Sequence, residues 1–178
     1  VNTAKTFVMC CRKDTKVPAK LFLSCKKIQQ VGNFSYLGVN FSADGKWTHQ
    51  ITSRNNRFSK EINALYAFSA KLGCTSTKHL LPIYQAKCLS TACYAVSIWG
   101  YTSAVILQTT EDCFLKRLLA LPHCISSLIC HLEIGVRFIG DRIRASPLLL
   151  WGRLWTREKL DLNRQIVKDC LALYYWQA

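Results

Sequence analysis

The spacing of apolar residues changes once along this chain, at Ala43-Asp44-Gly45, and that change bounds what it can fold into. Before it, apolar residues come in short β-prone runs: Thr6–Cys11, Leu21–Leu23, Ile28–Val31 and Phe34–Phe41. Turn chemistry at Lys13-Asp14-Thr15-Lys16-Val17-Pro18 separates the first two. In the last run Phe34 and Tyr36 alternate, then Val39 and Phe41 after a slip at Gly38, which reads as a bulge or a close approach of another backbone. From Trp47 onward the period is helical. Ile51, Phe58, Ile62, Leu65, Ser69 and Leu72 share one face, and Gly73 supplies a stop. Further helical patterns cover 76–98, with Pro82 near the start, 103–121, closed by Pro122, then 125–134, 140–155 and 159–174. The reading is an α+β chain: a small antiparallel β-hairpin sheet followed by a mainly α-helical bundle.

The chain has 178 residues, half of them apolar and only 12 of them Gly or Pro, which excludes collagen, low-complexity linker and intrinsic disorder. Its net charge is +14, and the excess is uneven. Residues 1–60 carry 11 basic and two acidic side chains, whereas 61–100 and 101–178 are only +2 and +3. Such a one-sided cluster attracts polyanions, and inside a cell these are mostly nucleic acid. On the first long helix Arg54, Arg57 and Lys60 recur every three residues as a slanted basic stripe, suited to a phosphate backbone or simply to the wet face of an amphipathic helix.

Ten cysteines form no C-x-x-C pair, and several sit within apolar helical patterns. They read as free thiols acting as small hydrophobes, which places the chain in an intracellular, reducing compartment, nucleus or cytoplasm. His123-Cys124 and Cys130-His131 have poor zinc spacing, so no metal site is expected. The chain opens on Val1 in mid-element and lacks a signal-peptide pattern, so it is expected to be a fragment of an intracellular protein. Residues 88–110 are uncharged and long enough to span a bilayer, but Ser, Thr, Gln and Gly fill nine of the 23 places, which favours a core helix running into a turn.

Catalytic signatures are missing. There is no G-x-G-x-x-G, P-loop or G-x-S-x-G pattern. Glu111 and Asp112 are neighbours on a helix and are expected to point apart, and the four histidines have no evident carboxylate partner. Composition and spacing alone describe a basic, non-enzymatic binding module.

The order of segments is more specific. Val1-Asn2-Thr3-Ala4-Lys5-Thr6, a strand, Pro18 and a hairpin, then Val31-x-x-Phe34-x-Tyr36-Leu37-Gly38-Val39 resemble the end of the palm in reverse transcriptases of non-LTR (LINE-type) retrotransposons. The resemblance continues through Leu81-Pro82, Ser97-Ile98-Trp99-Gly100, Phe114-Leu115-Lys116-Arg117-Leu118-Leu119 and Leu121-Pro122. It ends with Leu132-Glu133-Ile134-Gly135 and the segment from Arg142 to Trp155, and so covers nearly the whole chain in order.

The resemblance implies a division into a palm remnant with a primer-grip-like hairpin over 1–45, a thumb-like helical region over 46–122 and a helical extension over 123–178. It implies that Lys5 is the lysine beside the leaving phosphates of the incoming nucleotide. Phe34, Tyr36, Leu37 and Gly38 would be the hairpin that meets the primer strand, the glycine allowing close backbone approach. Lys46, Arg54, Arg57 and Lys60 would follow the template–primer duplex through phosphate and sugar, independent of sequence. The implied partner is an RNA–DNA hybrid or duplex. The paired aspartates of two-metal polymerisation lie upstream of the lysine segment in this family, so the chain is not expected to extend a primer alone. No cofactor is expected for it; Mg2+ belongs to the intact parent enzyme. Strands without their sheet neighbours imply an exposed edge and self-association through it. Two other readings stand beside this one: a helical interaction protein with no nucleic-acid role, and a membrane-associated protein using 88–110.

Overall fold

A computed structural model of the chain describes residues 6–11, 21–23, 26–73, 76–100 and 105–156. It is α+β, with short strands first and helices after, and it divides into two compact units, Val1–Arg54 and Asn55–Ala178. The division falls inside the first helix rather than at the turn before it. The helices of 123–156 belong to the same unit as those preceding them.

In the first unit, β1 (Phe7–Val8) pairs in parallel with β4 (Gln29–Gln30), and β2 (Phe22–Leu23) pairs antiparallel with β3 (Lys26–Lys27). The main hairpin joins β5 (Asn33–Tyr36) to β6 (Val39–Ser42), with Phe34 opposite Phe41 and Tyr36 opposite Val39. The slip at Gly38 is therefore neither a bulge nor part of one strand. Leu37 and Gly38 form a two-residue turn with φ of 47° and 75°, the positive pair that matches the twist of an antiparallel ribbon. Phe34, Tyr36, Val39 and Phe41 share one face; Phe34 packs on Phe7 at 6.0 Å between ring centroids, and Phe41 on Trp47 at 5.6 Å. Val39 and Ile51 are the buried apolar centre of this unit.

Helix α1 (Thr48–Leu72) buries Phe58, Ile62, Leu65 and Ser69 along its length, as its periodicity requires, and Gly73 ends it at φ 61°. Leu72, at the fraying end, is exposed. The pattern over 76–98 is not one helix. α2 (Thr77–Ile83) contains Pro82, which has no N–H for the preceding turn, and the chain widens into a π-helical turn, Tyr84–Leu89, before α3 (Ser90–Ala92). Ala95 then takes a left-handed conformation, and α4 (Val96–Trp99) starts in a new direction.

α5 (Val105–Leu118) contacts α6 (Ser127–Ile134) and α7 (Ile139–Thr156), and α7 also lies along α4. Tyr84 stacks on Phe114 at 4.3 Å, and Trp99, Leu107, Leu115, Ile139 and Ile143 complete the buried centre of this unit. Gly100 is needed at the α4–α7 crossing: a Cβ there would lie 2.5 Å from the Val96 carbonyl oxygen and 2.6 Å from that of Ile143. The pattern over 159–174 lies outside the described residues. Among the described residues no helix is long and apolar enough to cross a membrane.

Candidate nucleic-acid interface

The hairpin presents its tip outward. Tyr36 is 58% exposed and Leu37 74%, while Phe34, further down the same strand, is half-buried against Phe7. What holds the tip comes from the start of α1. The Gln50 side-chain oxygen accepts the Asn40 N–H at 2.9 Å, and an Arg54 guanidinium N–H donates to the Gly38 carbonyl oxygen. Those two groups lie on the side of β6 and of the turn that faces away from β5, so α1 covers that edge with side chains. The exposed edge expected from the sequence is to this extent closed.

Arg54 is therefore not placed like its neighbours in the stripe. It is 4% exposed, because position 54 lies on the flank of the buried face set by Ile51 and Phe58. Arg57 and Lys60, one and two turns on, are exposed, and among the described residues no ion pair holds either. Lys71, about three turns beyond Lys60, is exposed too and extends this face, although its distance from the stripe hid it in the sequence. Lys46 is exposed, and its backbone N–H donates to the Asp44 carboxylate at 2.9 Å. The Asp44 carboxyl is held below its usual range by hydrogen bonds from the Ser42 side chain and the Lys46 N–H. Lys5 lies outside the described residues.

Within the second unit a groove of about 270 Å³ runs between α1 and α5, lined in part by Ser59, Asn63, Tyr66, Thr109, Cys113 and Arg117, with no carboxylate on its walls. The Arg117 guanidinium lies 4.1 Å above the Tyr66 ring, a cation–π pairing that fixes the cation at the groove. The Tyr66 hydroxyl donates to the Phe114 carbonyl at 3.1 Å, and burial pushes it up to about 12 against the pull of Arg117.

The polar residues judged unpaired in the sequence meet inside the second unit. His131 is buried, with Nδ1 2.9 Å from the Val136 carbonyl and Nε2 3.2 Å from Asp112 Oδ1 and 3.9 Å from Glu111 Oε2. Its ring lies where the faces carrying Glu111 and Asp112 adjoin, so neighbours expected to point apart reach one imidazole. Glu111 also accepts from the Tyr84 hydroxyl at 2.8 Å and the Ile139 N–H at 2.7 Å, and Gln108 accepts the Gly140 N–H at 2.9 Å. These two side chains satisfy the first N–H groups of α7, which otherwise lack partners. Burial drives the Glu111 carboxyl above its ordinary range, opposed by the Ile139 and Tyr84 hydrogen bonds and by His131. The cluster is a helix anchor. Among the described residues no group of three or more His, Cys, Asp or Glu side chains could hold a metal ion. In comparisons with known proteins, the chain matches no protein-family model, no curated protein and no solved structure.

Proposed function

We propose that this chain binds duplex nucleic acid, an RNA–DNA hybrid above all, independent of sequence, as the palm-end and thumb part of a LINE-type reverse transcriptase that does not polymerise on its own. The observation that carries the reading is the hairpin tip: two large side chains, Tyr36 and Leu37, stand out from a turn tied to buried side chains of α1. A solvent-facing tip on a fixed base suits contact with a primer strand. Arg57 and Lys60 supply phosphate contacts that need no base recognition. The described cysteines are free thiols, which supports a reducing intracellular compartment. Self-association through β5, whose Asn33 and Ser35 are exposed, is a further expected mode.

The test is titration of a fluorescent RNA–DNA hybrid with the purified chain at rising salt. Affinity should fall linearly on logarithmic axes, and a scrambled sequence of equal length should bind alike. An affinity that does not change with salt would overturn the proposal. Exposed Leu128, Ile129 and Leu132 on α6 and Leu148 and Leu149 on α7 favour a second reading, a helical interaction protein. That reading predicts no hybrid binding at any salt.

A further inference from the structure

We infer that Arg54 is a positioning residue for the hairpin tip and not a phosphate ligand; the inference rests on the nucleic-acid reading above for its binding arm only. Three observations converge. Leu37 holds φ at 47°, a left-handed conformation that L side chains other than Asn and Asp adopt at a cost, and the Leu-Gly pair lacks the Asn-Gly or Asp-Gly chemistry that selects such turns unaided. The Gly38 carbonyl, inside that turn, receives the Arg54 guanidinium, and the first outward-facing N–H of β6, at Asn40, is taken by Gln50, one helical turn earlier on α1. Both side chains are buried, Gln50 fully and Arg54 nearly so, so their rotamers are set by packing. Gly38 adopts its φ freely, but at Leu37 the turn is held by two rungs from α1 and not by the residue's own preference. An Arg held this way orients Tyr36 and Leu37 before any ligand arrives, which spares the ordering cost at binding.

The experiment compares wild type, Arg54→Lys, Leu37→Asn and the double variant as full chains. Two readouts are used: nuclear magnetic resonance of the Leu37, Gly38 and Asn40 amides with their hydrogen exchange, and hybrid affinity against salt. In Arg54→Lys, whose shorter, non-planar side chain loses the bond to the Gly38 carbonyl, the positive-φ shifts of Leu37 and Gly38 should move toward random-coil values. The Asn40 amide, which Gln50 holds, should exchange about tenfold faster or more as the turn opens, the scale of one lost hydrogen bond to a charged group. Leu37→Asn, which favours the turn intrinsically, should restore both in the double variant. In the binding arm, Arg54→Lys should lower affinity while the slope of log affinity against log salt stays at the wild-type value. A phosphate ligand predicts the reverse: charge-preserving Lys keeps affinity, and Arg54→Gln lowers the slope by about 0.9. Unchanged amides in Arg54→Lys, or a slope loss in Arg54→Gln with the turn intact, would overturn the inference. Absence of wild-type binding would overturn the nucleic-acid reading alone, because the resonance arm still decides what Arg54 does to the turn.

Discussion

The backbone N–H of Ile139, the first residue of α7, donates to the carboxylate of Glu111 on α5 at 2.7 Å, and both residues are fully buried. The same carboxylate takes the Tyr84 hydroxyl, so one side chain fastens the π-helical turn and α7 to α5. Glu111→Ala leaves both donors buried without an acceptor and should cost about 3–5 kcal/mol, while Tyr84→Phe, which removes a single bond, should cost about 1 kcal/mol. Urea unfolding followed by circular dichroism measures both; equal losses would show that Glu111 does not join the two helices.

The pH dependence of Glu111 follows from burial. Its folded-state pKa lies above the ordinary 4.5, so its stabilising contribution is complete below that value and is lost as pH rises through the folded pKa. The stability of wild type minus that of Glu111→Gln should therefore fall as pH is raised from about 4 toward neutrality. A difference that grows with pH would mean the hydrogen bonds from Ile139 and Tyr84 outweigh desolvation.

Two helix ends provide a matched pair. α6 closes on Gly135 at φ 71°, where a Cβ would meet nothing, and α5 closes on Ala120 at φ 52°, with the Leu121 N–H returning to the Lys116 carbonyl at 2.9 Å. The left-handed cap costs an L side chain about 1 kcal/mol and glycine nothing. Gly135→Ala should lose about that much and Ala120→Gly should gain it, read as opposite shifts of the unfolding midpoint. Shifts of the same sign would point to packing rather than backbone conformation as the cause.

These ends show where the sequence was legible. Local periodicity was: the apolar face of α1 from Ile51 to Ser69 and the extents of α5, α6 and α7 follow from 3.6-residue spacing. Stops without their usual residue were not, since neither Ala95, which breaks the 76–98 pattern, nor Leu37 announces a left-handed conformation. Long-range polar pairing left no trace in spacing either. His131 finds Asp112 because α6 folds back on α5, and Arg54 leaves the wet face because the hairpin turn lies over it. Composition registered the basic excess, but burial decided which members of the stripe face solvent.

At the α4–α7 crossing the Val96 and Ile143 carbonyl oxygens leave no room for a methyl group at position 100, and Ser97 and Ser146 share a hydrogen bond of 2.7 Å alongside. Both obstructing atoms are backbone, the Val96 oxygen in the turn that Gly100 itself closes and the Ile143 oxygen on α7. Gly100→Ala must therefore distort the end of α4 as well as push α7 away, and should cost about 1–3 kcal/mol. Ser97→Ala, which opens no such clash, should cost about 1 kcal/mol. Thermal unfolding separates them, and a silent Gly100→Ala would mean the helices do not approach this closely.

Arg57 and Lys60 differ from Arg54 in exposure, and that difference sets what their removal should do. Alanine is a good helix former, so replacing both exposed side chains should leave the helical circular dichroism signal of α1 unchanged. If each neutralises one phosphate, the slope of log affinity for an RNA–DNA hybrid against log salt should shrink by about 1.8 in the double variant. Lys87→Ala is the control. Its ammonium is engaged by Glu61 at 3.2 Å, and its loss should change the slope little. A double variant that keeps the wild-type slope would show that the exposed part of the stripe is a solvated face and would leave the hairpin tip as the contact to pursue.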